Sequence, residues 1–121
     1  MKHVITWFEI PVVDFERAKK FFEQILAIEI QSQQMGADLM GFISYDQEGV
    51  GGAIVKGENY SPGANGVRVY FQSDDLTVIL DRVEPAGGKI IVPKTLITEE
   101  IGHFGLFEDT EGNIHGLYSK D

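Results

Sequence analysis

The chain has 121 residues, 43% apolar and 24% charged, a length and balance suited to one compact domain with its own core. Its net charge of −9, from 10 basic and 19 acidic side chains, opposes the phosphate contacts that dominate nucleic-acid affinity and is repelled by anionic lipid. No cysteine is present, which excludes disulfides, thiolate metal sites and a cysteine nucleophile.

Val4 to Val12 is rich in β-branched and aromatic residues and is predicted to be a strand. Asp14 stands where a helix N-cap belongs, with Glu16 favourable in the first turn. Phe15, Ala18, Phe22 and Ile25 then follow at three-to-four spacing, the pattern of one apolar helical face. Three short strands are predicted next, at Ile28 to Gln34, Leu39 to Tyr45 and Val50 to Val55. The stretch "GENYSPGANG", Gly57 to Gly66, is turn-rich and makes a linker.

The second half follows the same plan. The apolar "GVRVYF" precedes Asp75 in the cap role, Leu76, Ile79 and Val83 form the stripe, and Pro85 with Gly87 and Gly88 stops the helix. Strands are predicted at Lys89 to Val92, His103 to Glu108 and Asn113 to Ser119. Aligned copy over copy, Trp7 falls on Arg68, Asp14 on Asp75, Phe22 on Val83 and Ile30 on Ile91, and "DQEGVGGAI" from Asp46 matches "DTEGNIHGL" from Asp109. A period near sixty residues is too long for a solenoid unit and suits a duplicated half-domain. The expectation is an α+β fold of two β-α-β-β-β modules, residues 1–56 and 66–121 with a linker at 57–65, forming a cup-shaped, mostly antiparallel sheet with helices outside. A ferredoxin-like β-α-β-β-α-β fold competes, but leaves the extra hairpin of each half without a place.

The repeat, the segment "VVDFERAKKFFEQIL" and the ending "DTEGNIHGL" resemble the vicinal oxygen chelate superfamily, which includes glyoxalase I, ring-cleaving dioxygenases and bleomycin-binding proteins. The resemblance covers nearly the whole chain and implies paired modules around a cavity, often completed by dimerisation. It also implies four metal-ligand positions: a His or Gln seven residues before the first capping Asp, usually a His at its repeat, and a carboxylate three residues beyond the Asn of each module's closing turn. Those positions hold Trp7, Arg68, Ala53 and Gly116. An indole offers no lone pair, a guanidinium is a permanent cation, and Ala and Gly have no ligating group. No metal and no cofactor is therefore expected. The histidines His3, His103 and His115 have no metal-ligand spacing; alternation turns His115 under a helix, whereas His103 stays a candidate for the cavity.

Strand alternation places Trp7, Glu9 and Pro11 on one face, and Arg68, Tyr70 and Gln72 on the matching face of the other half. The candidate ligand-binding residues are Trp7, Glu9, Arg68, Tyr70, Gln72, His103 and Phe104, with Phe104 and Phe107 at a cavity lip beyond the loop "TLITEEIGH". Flat apolar walls with a few polar groups are how small-molecule pockets are built. A structural Glu9–Arg68 salt bridge is the plainer alternative for those two charges. Glu99 and Glu100 are expected to be solvated, no serine has a nucleophile-elbow context, and "GVGG" lacks the features of a phosphate loop.

The expected function is metal-free binding of an unidentified small molecule. The alternatives are a lyase or isomerase of the lactoylglutathione lyase type, with Glu9 as base, and a drug-sequestering resistance protein of the bleomycin-binding kind. A homodimer is expected. No apolar run approaches the roughly 20 residues that span a bilayer, and no signal-peptide pattern is present, so the expected location is the cytoplasm.

Overall fold

The computed structural model describes residues 3–43 and 49–121. The first-half turn from Asp46 and the end of the strand predicted to reach Tyr45 lie outside the described residues. The chain runs β1 (Trp7–Pro11), α1 (Phe15–Leu26), β2 (Gln31–Met35), β3 (Asp38–Ile43) and β4 (Gly51–Lys56). It then repeats the plan as β5 (Tyr70–Gln72), α2 (Leu76–Val83), β6 (Lys89–Thr98), β7 (Gly102–Glu108) and β8 (Ile114–Ser119).

Both helices start where the sequence places them. The Asp14 carboxylate accepts from the Arg17 backbone N–H at 3.1 Å, and Asp75 accepts from the Thr77 N–H at 3.0 Å. Each cap satisfies one of the amides that a helix start leaves without a partner. Phe15, Ala18, Phe21, Phe22 and Ile25 bury one face of α1, and Leu76, Ile79, Leu80 and Val83 bury one face of α2.

The strands form two four-stranded sheets ordered β1-β4-β3-β2 and β5-β8-β7-β6. Each is mostly antiparallel, as expected, with one parallel pairing: β1 is parallel to β4, and β5 is parallel to β8. The helix returns the chain, so the first strand and the fourth run the same way when they meet. The predicted loop before β7 is corrected, because β6 continues to Thr98. Its pairing with β7 shifts register between Val92 and Thr95, and Pro93 sits in that irregularity on the sheet edge. A proline that cannot donate to a ladder is tolerated at such a place.

One core serves both halves. Ile10, Phe22 and Ile54 of the first module join Leu76, Phe107 and Leu117 of the second. Phe8 meets Phe71 edge-on at 6.0 Å, and Phe22 meets Phe71 at 6.3 Å. His115 is buried among Phe22, Phe71 and Phe107, with ring centroids 5.3–5.7 Å away. Its Nε2 lies 2.7 Å from the buried Asp109 carboxylate, so it is the expected packing residue.

A second tie fixes the modules. The turn after β7 carries Glu111, whose side chain is fully covered and reaches the start of α1. One carboxylate oxygen accepts from the Val13 and Asp14 N–H groups at 2.9 and 2.8 Å; the other accepts from Arg17 Nε at 2.8 Å and the Thr110 hydroxyl at 2.9 Å. Asn113 adds a bond from Nδ2 to the Pro11 carbonyl at 2.9 Å. An anion at a helix N-terminus is also favoured by the helix dipole. Burial alone would push the Glu111 carboxyl up, but the bonds from Arg17, Asp14, Val13 and Thr110 outweigh it and hold the group below its ordinary range.

A depressed folded-state carboxyl stabilises above its unfolded value, about 4.3, and the contribution is lost as pH falls through the folded value. Glu111→Ala is expected to cost about 2 kcal/mol in urea unfolding at pH 7, because it removes one covered carboxylate that serves two backbone N–H groups, Arg17 and Thr110. The gap from wild type should narrow as pH drops below about 4. A gap that stays constant across that range would contradict the clamp.

Candidate functional site

The face of β1 turned away from the helices carries Trp7, Glu9 and Pro11, while Ile10 and Val12 are buried toward the core. Pairing sets Trp7 opposite Gly51 and Glu9 opposite Ala53, with Ala53 opposite Phe42. Trp7 packs edge-on against Phe42 at 6.1 Å. In the second module Tyr70 lies opposite Gly116 and Gln72 opposite Tyr118, which pairs onward with Phe104. Glu9 and Tyr70 thus hold corresponding places, one facing Ala53 and the other facing Gly116.

The Glu9 carboxylate accepts from Trp7 Nε1 at 3.3 Å and from the Tyr60 hydroxyl at 2.7 Å. That second bond raises the Tyr60 phenol above its ordinary value. Tyr60 belongs to the linker, where the turn-rich composition gave no sign that a side chain folds back onto β1. The linker is fixed further along by the Gly63 N–H, which donates to Asn113 Oδ1 at 3.0 Å. The alternative Glu9–Arg68 bridge does not form among the described residues; Arg68 is exposed and precedes β5.

Two cavities open along the joint between the modules. One, of about 330 Å³, is lined by Glu9, Pro11, Ser61, Gly63 to Val67, Val69, Asn113 and His115. The other, of about 470 Å³, is mainly apolar and is lined by Ile5, Phe8, Val50, Val69, Tyr70 and Phe71, together with His3, Gly49 and Gln72. Among the candidates, Glu9 therefore lines the first, Tyr70 and Gln72 line the second, and Trp7 stands beside Glu9. Phe104 keeps to the open face of the second sheet, with Tyr118.

His103 is placed differently from expectation. Unbroken pairing of β7 with β8 gives it the same face as Gly105 and Phe107, toward α2, and its covered Nδ1 has no partner among the described residues. Phe107 is fully buried in the core and forms no lip. In both cases the unbroken ladder with β8 decides the face, because strand parity carries His103, Gly105 and Phe107 to one side.

The surroundings of the four metal-ligand positions that the resemblance implies decide whether a metal fits. Trp7 turns its N–H to Glu9, Ala53 has no donor atom, and Arg68 is an exposed cation. A Cβ added to Gly116 would lie 2.3 Å from Tyr70 Cδ2, so the Tyr70 ring already fills the space of a side chain there. These residues do not fit a divalent metal. Among the described residues no group of three or more His, Asp or Glu side chains is arranged to hold one.

Gly116→Ala is expected to destabilise by about 1–3 kcal/mol, as overpacked sites do. In a Tyr70→Ala background the same change should cost well under about 1 kcal/mol, giving a clear coupling in a double-mutant cycle of urea melts. Equal costs in both backgrounds would place the Tyr70 ring elsewhere.

Comparison with known proteins agrees with this architecture. The family model described as "Bleomycin resistance protein-like N-terminal" matches residues 5–40. A glyoxylase-like domain-containing protein of Didymella fabae is 28% identical across 96% of this chain and 93% of its own. A glyoxalase I mutant from Zea mays superposes with a TM-score of 0.76 at 18% identity, over 95% of this chain. This chain spans only 46% of that protein's length. TnmS3, an antibiotic binding protein from Streptomyces, superposes with a TM-score of 0.73 at 22% identity over 100% of this chain and 98% of its own. The duplicated β-α-β-β-β plan, its sheet order and these likenesses together give the chain the fold of the vicinal oxygen chelate superfamily, the glyoxalase, bleomycin-resistance and dioxygenase group that its sequence resembles.

Proposed function

We propose that this protein binds a small molecule at the joint between its modules and does so without the superfamily's metal. The observation that carries the reading is the exchange at Gly116, where the Tyr70 ring occupies the space a metal-binding carboxylate would need. The cavities beside Glu9 and Tyr70 supply the volume, and their mixture of apolar walls with a few polar groups suits a small organic ligand.

A second reading, sequestration of an antibiotic, is favoured by the whole-length likeness to TnmS3, which is described as antibiotic binding. Cells expressing this chain would then survive a drug that kills the parent strain. A lyase or isomerase would instead be supported by turnover of a hemithioacetal that disappears in Glu9→Gln. A homodimer is part of the proposal, and the exposed Val4 and Val67 give it apolar surface.

The metal-free reading has a direct test. A divalent ion bound only to the folded state and present at a hundred times its Kd adds about 2.7 kcal/mol of stability. Zinc, nickel and manganese, each added in excess, are expected to leave the melting temperature unchanged and to be lost on equilibrium dialysis. Retention of one ion per chain would contradict the proposal.

A further inference from the structure

We infer that the ligand is an organic cation, with an ammonium-type group received by Glu9. This rests on the proposed binding at the module joint and names the ligand's chemistry. Glu9 is an exposed carboxylate on a pocket wall, and among the described residues it forms no ion pair. Its two bonded partners are both neutral and both aromatic: the Trp7 indole and the Tyr60 phenol.

Those bonds hold the carboxylate in place without neutralising it. A carboxylate has about four acceptor sites, so one bond to each oxygen leaves capacity for a ligand donor. A cation that reaches Glu9 gains a charge-assisted bond to a carboxylate that its present partners do not neutralise. The chain's net charge of −9 adds a long-range field of the same sign. An anionic or neutral ligand gains none of these terms.

The neighbouring cavity specifies the rest of the molecule. Val69 lines both spaces, and beyond it Ile5, Phe8, Tyr70 and Phe71 make an apolar, aromatic wall. A ligand with a cationic head at Glu9 and a flat apolar body toward Val69 and Tyr70 matches both ends. Primary, secondary and quaternary ammonium compounds carrying an aromatic group have this form.

Three probes of similar shape separate charge from hydrophobicity: phenethyltrimethylammonium, its neutral carbon isostere 3,3-dimethylbutylbenzene, and the anion 3-phenylpropionate. Trp7, the only tryptophan, reports binding by fluorescence, with calorimetry as a check. The cation is expected to bind about tenfold more tightly than the neutral isostere, and the anion more weakly still. In Glu9→Gln the preference for the cation should collapse while the neutral probe binds as before. Tyr60→Phe, which keeps the ring and loses the bond, should weaken the cation about threefold and leave the neutral probe unchanged.

Equal affinity for the cationic and neutral probes, or a preference for the anion, overturns the cation inference and leaves binding at the joint standing. A cation preference that survives in Glu9→Gln overturns the role of Glu9. If none of the three probes binds, both the inference and the binding reading fall. Circular dichroism of each variant separates lost binding from lost folding.

Discussion

The joint between the modules depends on the Glu111 carboxylate. It lies in the closing turn of the second half, yet its bonds satisfy two backbone N–H groups and an arginine at the first helix of the other half. Among the described residues the two sheets share no strand ladder, so this clamp, the Asn113–Pro11 bond and the common aromatic core hold them in one arrangement. The turn itself is fixed from inside. Asp109 accepts from the backbone N–H groups of Glu111 and Asn113 at 2.8 and 3.0 Å, and its other oxygen receives Asn113 Nδ2 and pairs with His115. A buried anion with this many donors is well satisfied, and the loss of any one donor is costly.

The cavities follow from that joint. Asn113 bonds to β1, to its own turn and to Gly63 of the linker, which draws the linker across the first cavity. The same linker delivers Tyr60 to Glu9. Duplication set corresponding residues against one another, and divergence then made them unlike. Glu9 faces Ala53, with the carboxylate left for other partners, while Tyr70 lies flat over Gly116 and closes that corner. The two halves keep one backbone plan and present different chemistry, polar at one end of the joint and aromatic at the other.

Much of this was legible in the sequence. Asp14 and Asp75 identify themselves as caps because a carboxylate before an apolar stripe satisfies the free amides of a helix start. The repeat gives the module order, and one-residue alternation correctly turns His115 under a helix and Trp7 with Glu9 away from it. Local pattern failed where tertiary contacts decide. The strand predicted at Lys89 to Val92 runs on through Pro93 to Thr98, because an edge strand with an irregular register absorbs a proline. His103 was assigned to the cavity, but its ladder with β8 fixes the opposite face. Alternation and charge pair Glu9 with Arg68 across the cup, but Glu9 bonds Tyr60, 51 positions away in sequence, in a segment whose composition signals only a turn.

The joint as binding site is tested most directly by titrating ¹⁵N-labelled protein with phenethyltrimethylammonium and mapping the amide shifts. The account predicts saturable changes at Glu9, at Gly63 to Val69 and at Tyr70, Asn113 and His115, with β2 and the outer edge of β6 unmoved. Shifts confined to β2 or β6, or spread evenly over the surface, would contradict it.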